Sequence, residues 1–197
     1  MIRDPRDIVV SAYFSHLKSH PTDVWTELNE HRLELEKLSK EEGLMLEIDC
    51  RKEDLENMYN WNYNMDNIYE LKMEDMINNP YQAFLNIFDF LEIIDRNDIN
   101  VINRCKYFIN VIVRRVFLLN LAIDKMPAER LLGIVHQHRF EKSSGGRRQG
   151  EENKSSHYRK GKPGDWKNHF NEEHKKYFKE KYGDLLIKLN YEFDNDW

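Results

Sequence analysis

The amino-acid sequence predicts a helix-rich domain of mixed α and β structure with one or two strands. Three observations carry that expectation. Apolar residues recur at helical spacing through several segments that have start and stop signals at their ends. Alternation of apolar and polar residues offers its best strand candidate in one short segment, 67–75. The 197 residues suffice for one domain with its own core and are short for two.

In chain order, Ile2-Arg3-Asp4-Pro5-Arg6-Asp7 reads as the end of a strand running into a turn. The stretch DIVVSAYFSHL that follows has helical length, with Asp7 placed to cap it. A second helix is expected over HPTDVWTELNEHRLELEKLSKEEG. Pro21 and Thr22-Asp23 start it, Gly43 stops it, and Trp25, Leu28, Leu35 and Leu38 form its apolar stripe. A further helical patch over 52–60 carries Leu55, Met58 and Tyr59. In NIYELKMED, residues 67–75, Ile68, Leu71 and Met73 are separated by polar residues, which is the strand pattern. Asn79-Pro80 is a cap and first turn. Behind it Phe84, Ile87, Phe88 and Leu91 fall on one helical face, expected to be buried. A long helix is expected over 98–124, a short one from Pro127, and a closing helix capped by Asn171 with Glu172 and Glu173 at its positive end.

The most apolar run, 107–123, holds Arg114 and Arg115 at its centre. Two arginines at mid-membrane cost about 5–7 kcal/mol on insertion scales, so the run reads as a buried or self-associating helix rather than a membrane span. No signal peptide opens the chain, because MIRDPRD is charged from its third residue. The net charge of −5 opposes a general nucleic-acid binder. Cys50 and Cys105 have no metal-ligand spacing and no disulfide framework, and read as reduced, buried thiols of a cytoplasmic protein. His136 and His138 diverge on a helix end and make no metal pair.

Against this acidic background, residues 142–164 carry seven lysines and arginines and two glutamates. Gly145, Gly146, Gly150, Gly161 and Gly164 make the segment a loop. Glycines let backbone N–H groups approach an anion, arginine forks pair with phosphate oxygens, and lysine adds a point charge. A solvated surface loop is the competing reading of the same composition. A second anion site is suggested at the chain start, where a strand end with Arg3, a turn with Arg6 and a helix bearing Ser11 come in succession. The competing reading there is a salt-bridge cluster of Arg3, Asp4, Arg6 and Asp7.

Three segments in order, RDPRDIVVS, LKMEDMINNPYQAFLNIFDFL and YRKGKPGDWKNHF, resemble the sulfotransferases that use 3′-phosphoadenosine 5′-phosphosulfate. The likeness runs from residue 2 to about 191, and Arg-Lys-Gly followed by Gly-Asp-Trp-Lys is its most specific part. The resemblance implies an α/β, P-loop-like sulfotransferase fold, a parallel sheet flanked by helices. It also implies a single domain over 1–197, with 142–164 as its nucleotide-binding loop. In the family, an arginine and a serine matching Arg3 and Ser11 grip the nucleotide 3′-phosphate. The Arg-Lys-Gly matching Arg159, Lys160 and Gly161 closes over the same phosphate. Glu74-Asp75 takes a structural role at a strand end, and Trp166 packs beneath the loop.

The implied reaction moves a sulfuryl group to a hydroxyl or amine of a small acceptor, with no metal, no nucleic acid and no membrane span. Three departures stand out. The family's 5′-phosphosulfate loop and catalytic histidine find no match here, so the chain is expected to be N-terminally truncated, helix-rich with few strands, and inactive alone. Met73 stands where the family commonly has tyrosine. The segment after Lys167 does not match the dimer motif of cytosolic animal enzymes. The alternative is a non-catalytic nucleotide-binding or interaction protein that acts with a complementing partner or as an oligomer.

Overall fold

A computed structural model describes residues 1–21, 23, 25–96, 101–117 and 125–197. In chain order it runs α1 (Pro5–Phe14), a π-helical turn (Ser15–Ser19), α2 (Glu27–Leu35), α3 (Lys40–Cys50), α4 (Lys52–Asn60), α5 (Met73–Asn78), α6 (Pro80–Phe90), β1 (Ile94–Asp95), α7 (Val101–Phe117), β2 (Met126–Pro127), α8 (Ala128–Gln137), α9 (Phe140–Ser143), a 3₁₀ turn (Asp165–Asn168) and α10 (Glu172–Lys188). Helix dominates, and the two short strands are parallel, pairing Ile94 with Met126 and Asp95 with Pro127. The chain divides into two compact units, residues 1–74 with 147–197, and residues 75–146.

The first unit holds the larger core. Val9, Val10, Tyr13 and Phe14 of α1 are buried in one cluster with Leu35, Leu44, Ile48, Leu55, Trp166 and, from α10, Phe178, Leu185 and Leu186. The cap of α1 is Asp4, not Asp7 as the sequence suggested. Its carboxylate accepts the Arg6 N–H at 2.9 Å, and Pro5 takes the first helical position, where no N–H is needed. Asp7 is thereby released for a distant contact.

The single helix expected from Pro21 to Gly43 is two helices. Thr22 lies outside the described residues. The second helix, α3, starts at a capping box in which Ser39 accepts the Glu42 N–H and the Glu42 carboxylate accepts the Ser39 N–H. Gly43 is therefore inside α3 and stops nothing. A Cβ there would lie 2.6 Å from Cε2 of Tyr13, so glycine permits the close approach of α3 to α1. The helical patch expected over 52–60 is α4, in which Leu55 is buried and Tyr59 exposed. Asn171 caps α10 by accepting the His174 N–H at 2.9 Å.

The strand expected over 67–75 shrinks to one parallel bridge, Ile2 to Lys72. Ile2 donates to the Leu71 carbonyl and accepts from the Met73 N–H, each at 2.8 Å. The ladder goes no further because Asp4 and Pro5 start a helix, and proline has no N–H to give. The Glu74 carboxylate takes over, accepting the Asp4 N–H at 3.0 Å and the Tyr191 hydroxyl at 2.8 Å.

In the second unit Asn79 caps α6 as its sequence predicts, accepting the Gln82 N–H. A small core of Ile94, Leu131 and Val135 receives Phe84, Leu85 and Phe88. Leu91, expected on the buried face, is exposed beyond the helix end. The described part of the long helix is α7, while 98–100 and 118–124 lie outside the described residues. It is not buried: Ile102, Phe108, Ile112 and Val116 are all exposed, Phe108 at 69%. Among the described residues no helix is long and apolar enough to cross a membrane. Both thiols, Cys50 and Cys105, are unpaired and exposed rather than buried.

Candidate functional site

The first and last sequence motifs meet through Asp7. One of its oxygens accepts the Gly164 N–H at 2.6 Å and the other accepts the Trp166 N–H at 2.8 Å. Gly164 has φ +77°, which turns its N–H inward at a conformation costly for other residues. Burial pushes the Asp7 carboxyl above its ordinary value; the two N–H bonds and the charge of Arg3 oppose that shift without cancelling it.

Asp7, Ser11 and Phe14 are spaced i, i+4, i+7 and so share one face of α1. Asp7 holds the loop at one end of that face. At the other end the Arg159 guanidinium lies 4.5 Å from the Phe14 ring centroid, with Lys154 at 5.4 Å. Ser11 stands between them, half-buried.

Asp165 organises the cations. Its carboxylate accepts from Arg159 at 2.6 Å, Lys160 at 2.5 Å, Asn168 at 2.9 Å and lies 3.2 Å from His169 Nε2. Burial alone raises its pKa, but the bonds from His169, Lys160, Asn168 and Arg159 outweigh burial and hold the carboxyl far below the usual carboxylate range. Arg159 makes a second pair with Glu152 at 2.5 Å. Gly161 has φ +63° and lets the chain turn immediately after the two cations.

The loop is also braced from within. Arg147 donates to the carbonyls of Glu151 and Arg159, each at 3.0 Å, and to that of Tyr158 at 2.5 Å. The Gly150 N–H reaches the Lys160 carbonyl, and the Asn153 N–H reaches that of Arg159, each at 2.8 Å. Arg147 thus shapes the loop. Arg6, a flank of the suggested anion site, is likewise occupied: it pairs with Asp4 at 2.8 Å and Glu192 at 2.5 Å and lies 3.9 Å from the Trp166 ring centroid. Trp166 is buried beneath the loop as expected.

Of the five predicted site residues, Arg159, Lys160 and Gly161 are contiguous on the loop, and Ser11 is on the helix face the loop covers. Arg3 is half-buried ahead of α1 and acts electrostatically on Asp7. Arg3 and Ser11 make no hydrogen bond to the other three. The sequence reading missed Asp7 and Asp165 as organisers. The signal for Asp165 is an acidic residue directly after the basic loop; the partner of Asp7 is too far along the chain to read. Three fixed or nearby cations, a hydroxyl and a glycine turn make a surface suited to a phosphate dianion.

The family model described as sulfotransferase domain matches residues 1–190. Searches of curated proteins and of solved structures found no match.

Proposed function

From the chain's membership of the sulfotransferase domain family, we propose that it binds 3′-phosphoadenosine 5′-phosphosulfate by its 3′-phosphate and serves sulfuryl transfer to a hydroxyl or amine of a small acceptor. The nucleotide supplies the activated sulfuryl group. The observation that carries the reading is the Asp7 clamp on Gly164 and Trp166, which ties α1 to the segment just after Arg159-Lys160-Gly161, with the Arg159 guanidinium 4.5 Å from the Phe14 ring centroid.

Lys160 keeps donors beyond the one it gives Asp165, and Arg159 exchanges its Glu152 partner for a phosphate oxygen. Ser11 donates its hydroxyl, and Arg3 adds charge from the chain start. Asp165 stays ionised throughout and keeps the two cations aimed. The transfer uses no metal and no nucleic acid, and the setting is the cytoplasm, where the two free thiols stay reduced.

None of the eight histidines falls at the position matching the family's catalytic base, and no segment matches its 5′-phosphosulfate loop. A second reading is a nucleotide-binding protein that acts with a partner, favoured by the exposed apolar residues of α7.

Calorimetric titration with adenosine 3′,5′-bisphosphate tests the nucleotide reading. The expected result is micromolar binding that weakens about tenfold or more in Arg159→Ala, the scale of one charge-assisted contact. A folded chain that binds no bisphosphate overturns it.

A further inference from the structure

Apart from the loop, three side chains from three elements of the first unit converge on one buried point. His16 comes from the π-helical turn, His31 from α2 and Glu47 from α3. Glu47 Oε1 lies 2.8 Å from His16 Nδ1 and 2.7 Å from His31 Nε2, and the donor atoms of all three residues lie within 4.8 Å of one another. The two imidazoles stand edge to face, 5.3 Å apart at 79°, so ring nitrogens rather than ring faces point at the carboxylate.

Glu47 is 0% exposed, and its second oxygen has no hydrogen-bond partner among the described residues. The nearest cation, Arg51, is 3.9 Å from that oxygen through an Nε that is itself without a partner, while its Nη1 pairs outward with Asp54 at 3.1 Å. Oε1, the oxygen that both imidazoles meet, is the donor atom of the site, and a buried carboxylate is costly unless cations meet it.

We propose that His16, His31 and Glu47 form a site for a zinc-type divalent cation that ties the Ser15–Ser19 turn to α2 and α3. Two imidazole nitrogens and one carboxylate oxygen are a borderline donor set that suits zinc, and three protein ligands leave a fourth position for water. Zn–N bonds of about 2.0–2.1 Å in tetrahedral geometry set donors about 3.3 Å apart, so entry of the ion moves Glu47 Oε1 about half an ångström from each of the two imidazole nitrogens.

The surroundings fit. His31 Nδ1, the nitrogen turned away from Glu47, faces Cys50 Sγ at 3.8 Å, as an outer partner that orients a ligating imidazole. Arg32 holds the carbonyls of His16 and His20 at 2.6 and 2.7 Å, fixing the π-helical turn that presents His16. The other group of comparable composition, Glu152, Asp165 and His169, is a poorer host, because Arg159 and Lys160 already occupy the Asp165 oxygens.

The test uses the full chain, stripped with a chelator, dialysed and titrated with zinc alone by calorimetry, with metal content measured after desalting. The expected result is one zinc per chain, a raised melting temperature on loading, and affinity reduced at least about a hundredfold in His31→Ala and Glu47→Gln. His31 is only half-buried, so His31→Ala decides the matter if Glu47→Gln does not fold. Cobalt in place of zinc should give tetrahedral visible absorption that His31→Ala abolishes. A folded chain that holds no stoichiometric zinc overturns the proposal, and so does zinc retained unchanged by His31→Ala.

Discussion

Helices α1 and α7 draw on the same apolar residues, and α7 has the cleaner stripe, yet α1 is buried and α7 is open. What holds α1 in place is a set of polar ties at both its ends. At the head of α1, Asp4 holds Arg6, Asp7 holds two N–H groups of the distant loop, and Glu74 holds the Asp4 N–H. Just past its end, His16 meets Glu47 of α3. On α7, by contrast, Ile102, Ile109, Ile112 and Val116 face out. In this chain an apolar stripe says which side of a helix is sticky. Long-range carboxylate contacts say whether anything comes to cover it.

Removing a tie should hurt most. Asp7→Ala leaves the Gly164 and Trp166 N–H groups without their acceptor and should cost about 2–4 kcal/mol in urea unfolding. The same change should weaken bisphosphate binding although Asp7 is placed on no phosphate oxygen; unchanged affinity would separate the clamp from the site.

Asp165→Asn comes next, at about 1–3 kcal/mol at neutral pH, for loss of charge-assisted bonds to Arg159 and Lys160. Because the folded carboxyl sits below its ordinary 3.8, the stability it adds is full above that value and fades as pH falls through the folded one. The gap between parent and variant should therefore be flat from neutral pH to about pH 5 and narrow only in stronger acid. Asp7 has the opposite sign, since its raised carboxyl takes stability away as pH climbs from 3.8 through its folded value. A gap for Asp165→Asn that closes near pH 6 would show that another group governs the loop. Smallest should be Phe108→Ser on α7, within about 0.5 kcal/mol because the ring is already in water. A larger loss would mean that α7 is covered in solution.

What could be read in the sequence follows from distance along the chain. Asn79 and Asn171 were legible as caps because each bonds an N–H three residues on. The Ser39–Glu42 box was equally local, but the stop expected at Gly43 carried one long helix straight through it. The strand at 67–75 failed because alternation describes a side-chain pattern and not the length of its partner, which here contributes Ile2 alone. In the site, Arg159, Lys160 and Gly161 were legible as a motif. The carboxylates that aim and dock them were not: Asp7 meets its partners 157 and 159 residues away, and no spacing rule reaches so far.

That separation has a consequence for how the chain is made. Asp7 of α1 finds its partners only when Gly164 and Trp166 have been made, and part of the helix's apolar cover comes only when α10 follows. Until then the earlier members of its cluster, such as Leu35, Leu44, Ile48 and Leu55, are its cover, so the half-made unit is more open to chaperone capture and proteolysis than the finished one.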